Sequence, residues 1–467
     1  MSSTRREFLQ SSLLVAGAAG AAPLTAGAAS LSQGGTGAIV AAGPTSAPKV
    51  AAAAPAIAGD GGPVTRRWIE QRWLLDNVIR ANGIDWDQPR SQLYNAPCGP
   101  EANADFASIR SRVQKFADIA PAFEATARRR EALAREAEAA GALVNARENY
   151  FMAAIHWAAS QWTFDTNNER NLANNTRKRE CYLAYARLAD HRVEAAFVTL
   201  PTGQRLPGWF HLPPGYTGGR IPAVVSIPGM DGFKEGSVAM YGDRWLSRGI
   251  AVLVVEGPGQ YEAAVNNIHV SVPGWLATGP ATMQWMLARP EIDPARIGIL
   301  GSSFGSMFAT LACSAEPRFK AIAVANTCLE PGCHTIFEEA SPTFKKRFMY
   351  MSGYTDEARF DQFRRELTWE GHIDRIKVPY LCIAGSADEL CPLEHTERMM
   401  KTLQGPKQLL VYQDARHAVG GVPATNLGPS PSVYGADWMS ARLESKPFTS
   451  EHWMIEPSGR VVKMPYA

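Results

Sequence analysis

"RIGILGSSFGSMFATLA", residues 296–312, decides how the rest of this 467-residue chain is read. Its apolar run, 297–300, breaks on Gly301-Ser302-Ser303-Phe304-Gly305 and resumes as a small, apolar, helix-compatible stretch. An ordinary strand-to-helix turn would explain this if the glycines only relax the backbone and the serines cap the next helix. The sharper reading is the pattern G-x-S-x-G, with Gly301, Ser303 and Gly305 in the motif positions. In that pattern the serine rides a strained turn and its hydroxyl projects above a sheet. A Cβ on either glycine would strike the neighbouring strand or helix. Five residues alone are weak evidence; the β run before them and the helix after them supply the required context.

Around this break, strand and helix signals alternate. "IPAVVSIPG" (221–229), "IAVLVVEGPG" (250–259), "RIGILG" (296–301), "FKAIAVAN" (319–326), "VPYLCIAG" (378–385) and "KQLLVYQ" (407–413) read as buried strands, the last of them closing the series. "VAMYGDRWLSRG" (238–249) and "GWLATGPATMQWMLARP" (274–290) read as helices between them. Such alternation implies a mostly parallel sheet with helices on both faces. "EAAFVTLPTGQRLPGWFHLPPG" (194–215) alternates about a turn and reads as an antiparallel hairpin leading in. Before it, 64–193 has helical periodicity, with Gly83 and Gly141 as stops. His156 and the aromatic residues of these helices read as core. A mostly helical insertion at about 327–375 would sit above the strand ends as a lid.

The expected organisation is an export signal at 1–28, a flexible linker at 29–63, a helical domain at 64–193 and a catalytic α/β domain at 194–467. The signal rests on Arg5-Arg6 followed by Phe8-Leu9, then a weakly apolar stretch without charge until Lys49, with an A-x-A-like site at 26–28. This is the twin-arginine pattern, and it predicts the export machinery as a partner and a periplasmic or secreted destination. The stretch is too poor in Leu, Ile and Phe for a stable membrane span. Hydrophobic residues make up 46% and charged residues 20%, enough for a large core. A net charge of +2 offers no electrostatic case for nucleic acid or an anionic membrane. Seven cysteines without a C-x-x-C pair argue against a metal site, and a Cys328–Cys333 bridge is permitted but not expected. No metal, nucleotide or flavin signature is present, so no cofactor is expected.

A serine hydroxyl needs a base within reach, and the base needs a carboxylate to fix its tautomer. In this kind of fold the order is serine, acid, histidine. The acid belongs just past a strand after the serine: "YLCIAGSADELCP" puts Asp388 there, with Glu389 as the competing carboxylate. Of the three later histidines, His395 follows too soon, His452 lies in the tail, and His417 sits in "LLVYQDARHAVGG", on a loop after a strand. His417 is the expected base. The oxyanion donors are expected to be the backbone N–H of Phe304 and that of Met230 or its neighbour Gly229, in "PGMDGFKE". "EGPGQ" (256–260) reads as a structural turn bordering the site.

From about 116 to 419 the chain resembles the α/β-hydrolases grouped with the fermentation–respiration switch esterase and, more closely, 2,6-dihydroxypseudooxynicotine hydrolase. The resemblance rests on "REALAREAEAAGALVNARENYFMAAIHWAASQW", "VSIPGMDGFKE", "EGPGQ", "GILGSSFGSMFATLACSAEPRFKA", "GSADELCP" and "DARHAVGG". It implies an α/β-hydrolase fold with a helical N-terminal domain, self-association as a homodimer, and cleavage of a C–C bond beside a ketone in the closer relative. It also implies an acidic substrate-binding residue beyond the strand after the elbow, for which Glu339 in "FEEASPTF" is the counterpart. The expected function is an exported serine hydrolase cleaving an ester or a ketone-adjacent C–C bond of a small, perhaps aromatic, molecule. An acyltransferase or peptidase on the same triad, or a non-catalytic binding module on this scaffold, are the alternatives.

Overall fold

A computed structural model describes residues 62–466. The expected export signal and the spacer as far as residue 61 lie outside the described residues. Six helices come first: α1 (Arg66–Asn82), α2 (Arg90–Asn95), α3 (Asn103–Arg112), α4 (Ile119–Ala139), α5 (Leu143–Ser160) and α6 (Glu169–Leu188). Thr65 caps α1 by accepting the Trp68 N–H at 3.0 Å, and Gly83 ends it at φ 71°, a conformation open to glycine. α5 is the centre of the layer, buried without interruption from Asn149 to Ser160. His156 on α5 is fully buried, with Nε2 3.1 Å from Asp105, itself bonded to Arg130. It is a core histidine, as its pattern predicts, bonded through Nε2 while Nδ1 is buried without a partner among the described residues.

Ten strands follow in one sheet: β1 (Val193–Thr199), β2 (Arg205–His211), β3 (Ile221–Ile227), β4 (Ala251–Val255), β5 (Ile292–Ser303), β6 (Ile322–Thr327), β7 (Tyr380–Gly385), β8 (Lys407–Tyr412), β9 (Glu451–Ile455) and β10 (Val461–Pro465). Their order is β1-β2-β4-β3-β5-β6-β7-β8-β9-β10. From β4 to β9 neighbours run parallel, while β1, β2 and β10 join antiparallel. The chain leaves β3 for β4 on one side and then returns to β5 on the other. This switch point opens a crevice at the carboxyl ends of β3 and β5, where ligands bind in open α/β sheets.

Side chains alternate across the sheet into two cores. Val225, Leu253, Ile299 and Val411 pack on one face, and Val224, Val254, Ile383 and Leu410 on the other. The helical layer has its own core, which takes in Trp209, Phe233 and Tyr261 from the sheet region, so the two share apolar contact. Helices α7 (Tyr261–Val265), α8 (Val272–Leu287) and α9 (Phe304–Ser314) link or follow the central strands. In the expected lid region a π-helical turn, Thr335–Glu339, precedes α10 (Pro342–Ser352) and α11 (Glu357–Phe363). Phe337, Phe348 and Phe360 stack there, and the first two also meet Phe304 at the foot of α9. Arg67 of α1 donates to the carbonyl of Ala340 at 2.7 Å and so ties the lid turn to the helical layer.

Two expectations fail. The helix expected over 238–249 is only one 3-10 turn, Leu246–Arg248. The Asp243 carboxylate takes the N–H groups of Trp245 and Leu246 at 2.8 and 3.1 Å, and a side chain that captures those amides leaves no helix upstream. Nor is the strand at 407–412 the last one. β9 pairs with it in parallel, and β10 folds back antiparallel through a turn with Gly459 at φ 82°. All seven cysteines are buried and unbridged.

Candidate active site

Ser303 closes β5 and stands immediately before α9, at φ 56° and ψ −129°. A non-glycine residue held there carries about 1–3 kcal/mol of backbone strain. Close packing enforces it. A Cβ on Gly301 would lie 2.1 Å from the carbonyl oxygen of Gly305, and one on Gly305 would lie 2.3 Å from that of Ile227. No substituent fits at either place, so the turn is sharp and Ser303 is lifted above the sheet.

His417 Nε2 lies 2.9 Å from Ser303 Oγ. On its other side Nδ1 faces both Asp388 oxygens, at 3.1 and 3.0 Å. A carboxylate only accepts, so the ring proton belongs on Nδ1, and Nε2 is left to accept the Ser303 hydroxyl. Asp388 is fixed in turn by the N–H groups of Leu390 and Cys391, at 2.9 and 3.0 Å. Glu389 has a distinct place: it accepts the backbone N–H of His417 at 3.0 Å and holds the loop rather than the ring. Burial alone would lower the pKa of His417. The charge of Asp388 and its hydrogen bond outweigh that, and the net shift is upward from the ordinary imidazole value.

The segment after β3 runs beside the serine. A Cβ on Gly229 would sit 2.8 Å from Ser303 Cβ, so only glycine lets the chain pass. Gln260, fully buried at the end of the "EGPGQ" turn, donates from Nε2 to the carbonyls of Pro228 and, at 3.3 Å, Gly229. In a trans peptide the N–H opposes the C=O, so the Met230 N–H is turned away from Gln260. Phe304 opens α9, where the first amide has no carbonyl one turn back to bond. Asp231 is held by Arg90 of α2 at 2.9 Å, and its carbonyl accepts from Tyr261 at 3.2 Å. Lys234 is buried among Glu235, Glu256 and Glu262 at 2.8, 3.3 and 2.7 Å, anchoring the far end of this loop.

Asn326 and Arg90 were not singled out from sequence, and Gln260 only as the end of a turn bordering the site. Asn326, at φ 50° near the end of β6, just before Thr327, donates to Ser302 Oγ at 3.0 Å and accepts the Val419 N–H at 3.1 Å, linking the serine turn to the histidine loop. Its only sequence signal is an Asn where a strand ends. Gln260 and Arg90 act through tertiary contact and carry no local signature. Cys328 Sγ lies 3.8 Å from Ser303 Oγ, and its thiol pKa is pushed well up by burial, which keeps it neutral.

Ser303, His417 and Met230 open on a cavity of about 710 Å³, also walled by Tyr94, Phe344 and Leu390. That is a size suited to a small molecule. A neighbouring cavity of about 1100 Å³ shares Gln88, Asn326, Phe344 and Leu390 with it, so the two adjoin. Glu339 lines this second space and not the first. It is largely exposed at the end of the π-helical turn, 3.5 Å from His334. The structure therefore brings together Ser303, Asp388, His417, Phe304 and Met230, and sets Glu339 apart. The reason is that the π-helical turn carries Phe337 inward onto Phe304 and Glu339 outward.

Residues 280–427 match the prolyl oligopeptidase family. Among relatives, an α/β-hydrolase from Xenoacremonium sinensis, xenA, is 28% identical over 52% of this chain and 58% of its own. Hydrolase ORFZ from Pyricularia oryzae is 30% identical over 52% of this chain and 61% of its own. The match thus spans only about three-fifths of these relatives. The crystal structure of 2,6-dihydroxy-pseudo-oxynicotine hydrolase superposes at a TM-score of 0.65, with 23% identity, over 76% of this chain and 96% of that one. Wild-type AbyA5 superposes at 0.56, with 17% identity, over 76% of this chain and 99% of that one. With the sheet order and the serine turn above, these likenesses show that the chain has the α/β-hydrolase fold with a helical N-terminal region.

Proposed function

We propose that this α/β-hydrolase is a serine hydrolase that works through an acyl-enzyme on a small substrate. Ser303 Oγ attacks a carbonyl carbon while His417 Nε2 takes the hydroxyl proton. Asp388 keeps the ring oriented and stabilises its charged form. The N–H groups of Phe304 and Met230 hold the oxyanion. As the tetrahedral adduct collapses, His417 returns the proton to the departing group, an alkoxide from an ester or an enolate carbon from a ketone-adjacent C–C bond. Water, deprotonated by His417, then attacks the acyl carbon and releases the acid. The observation that carries this reading is the unbroken line of hydrogen bonds from Ser303 through His417 to Asp388.

An ester or a C–C bond fits the same machinery, because both need a nucleophile, an oxyanion site and a proton donor. Apolar walls from Tyr94, Phe344 and Leu390 favour an aromatic or cyclic group. The test is a fluorophosphonate probe on the purified full chain, with p-nitrophenyl esters beside a vinylogous-acid and diketone panel. The wild type is expected to label and turn over, and Ser303→Ala to do neither. No labelling of the wild type favours a non-catalytic binding module. Turnover only on adding an alcohol or amine acceptor favours an acyltransferase, and turnover confined to peptides a peptidase. The twin-arginine leader makes the periplasm or exterior the proposed destination. Retention inside the cell on replacing Arg5 and Arg6 by lysine supports that, and unchanged release overturns it.

A further inference from the structure

Between α1 and α2 the chain reads Trp86-Asp87-Gln88-Pro89-Arg90. Gln88 is 8% exposed, lines both the Ser303 cavity and its neighbour, and its Nε2 has no hydrogen-bond partner among the described residues. An amide buried without a partner loses its bonds to water with nothing in return, and native structures retain few of them. This one is not left loose. Asp87 accepts from Thr343 of α10 at 3.2 Å and bonds Arg90. Arg90 bonds Asp231 at 2.9 Å and lies over the Trp162 ring at 4.0 Å. The backbone on both sides of Gln88 is therefore pinned, to the lid helix and to the loop after β3. Nε2 itself is turned away from solvent, but the residue lines both cavities, so a half-turn of the amide presents its NH2 to an acceptor brought by a ligand.

We infer that Gln88 determines specificity, by donating a hydrogen bond to an uncharged acceptor, a carbonyl or ether oxygen, on a substrate whose scissile carbonyl sits at Ser303. This rests on the reading of Ser303 as nucleophile. The neutral character follows from the surroundings. Asp87, Arg90 and Asp231 already pair with one another, and of the cations that share a cavity wall with Gln88, Arg67 is committed to the carbonyls of Phe337 and Ala340 and Arg416 faces Glu389 at 3.5 Å, so among the described residues each of these charges is already engaged and an anionic group finds no ready partner. Apolar walls on either side, from Leu93, Phe344 and Leu390, suit the ring or chain that carries the acceptor.

The experiment uses the purified full chain and p-nitrophenyl esters of 3- and 4-acetylbenzoate against those of 3- and 4-isopropylbenzoate. Each pair matches in shape and differs in one acceptor. The wild type is expected to prefer at least one acetyl ester over its partner in kcat/KM. Gln88→Leu should lower that acetyl rate about 10- to 100-fold and leave the isopropyl rate within about threefold, the range a single buried hydrogen bond commands. Gln88→Asn, whose amide is one methylene shorter, should fall between them, and it serves where Gln88→Leu does not fold. Equal losses on both ester series, or a wild type without the preference, overturn the inference. Fluorophosphonate labelling separates the failures. A wild type that labels but shows no preference defeats the role of Gln88 alone. A wild type that neither labels nor hydrolyses any ester defeats the nucleophile reading, and this inference with it.

Discussion

Arg90 on α2 and Asp231 in the loop after β3 are joined at 2.9 Å, although 141 positions separate them in the chain. Asp231 directly follows Met230, the proposed oxyanion donor. The helical layer therefore reaches past its own core and grips the loop that would hold still during the proposed acyl transfer. Arg90 is almost wholly buried, and with it the site's rigidity depends on residues outside the sheet.

Removing that grip should be costly twice. Arg90→Ala leaves Asp87 buried without its cation, and breaking a buried pair costs about 3–5 kcal/mol. Urea unfolding should register that loss, and kcat should fall while KM changes less, because the substrate walls remain. Wild-type stability in Arg90→Ala would sink this account of the loop.

The pH dependence follows from His417. Its pKa in the folded chain is raised, and only the neutral ring accepts a proton from Ser303. The acid limb of kcat/KM should therefore have its midpoint above about 6.5, the ordinary imidazole value. Stability runs the other way. A raised folded pKa contributes stability fully below the unfolded value, and this is lost as pH rises through the folded one. Activity should climb across the interval in which this contribution fades, as paired kinetic and melting series would show.

The two adjacent carboxylates should behave differently. Asp388→Asn removes the partner that orients and charges the ring, and a loss of about 10⁴ in kcat is expected. Burial would then be opposed only by the smaller pull of the Glu389 and Asp231 charges, so the remaining activity should titrate at a lower pH. Glu389→Gln keeps an acceptor for the His417 N–H and should cost less than about tenfold. A reversal of that ranking in steady-state kinetics would assign the roles the other way.

Gly229→Ala places a methyl 2.8 Å from Ser303 Cβ and 2.9 Å from the Ser302 carbonyl. The loop or the serine must shift, and a displaced oxyanion donor costs about 10²–10³ in kcat. Turnover of p-nitrophenyl acetate should drop by that factor while the far-ultraviolet dichroism stays native.

Glu339→Gln, by contrast, alters a largely exposed side chain outside the Ser303 cavity. Its kcat/KM should stay within about twofold of wild type on every ester tested.

Much of this architecture is written in local pattern. The strands β3 to β8 are short apolar runs bounded by Gly, Pro or Asn, and the order of Ser303, Asp388 and His417 follows from where those runs end. The stretch 238–249 misled because its apolar spacing is helical while Asp243 withdraws the amides a helix needs. β9 and β10 were legible in principle: 451–465 holds two alternating runs about a Pro-Ser-Gly turn, but their place beside β8 is a non-local pairing. Gln88 and Arg90 stayed silent for a different reason. Each takes its meaning from what only the folded chain brings near, the cavity wall for Gln88 and Asp231 for Arg90.

The unbridged, buried state of all seven thiols has a bearing on how the molecule matures. With no crosslink to form, folding needs neither an oxidant nor an isomerase, and the finished protein should melt at the same temperature with or without dithiothreitol. Under the export proposed above, such a chain could be assembled in a reducing cytosol and then work in an oxidising medium, a passage that would ask nothing of its sulfur chemistry.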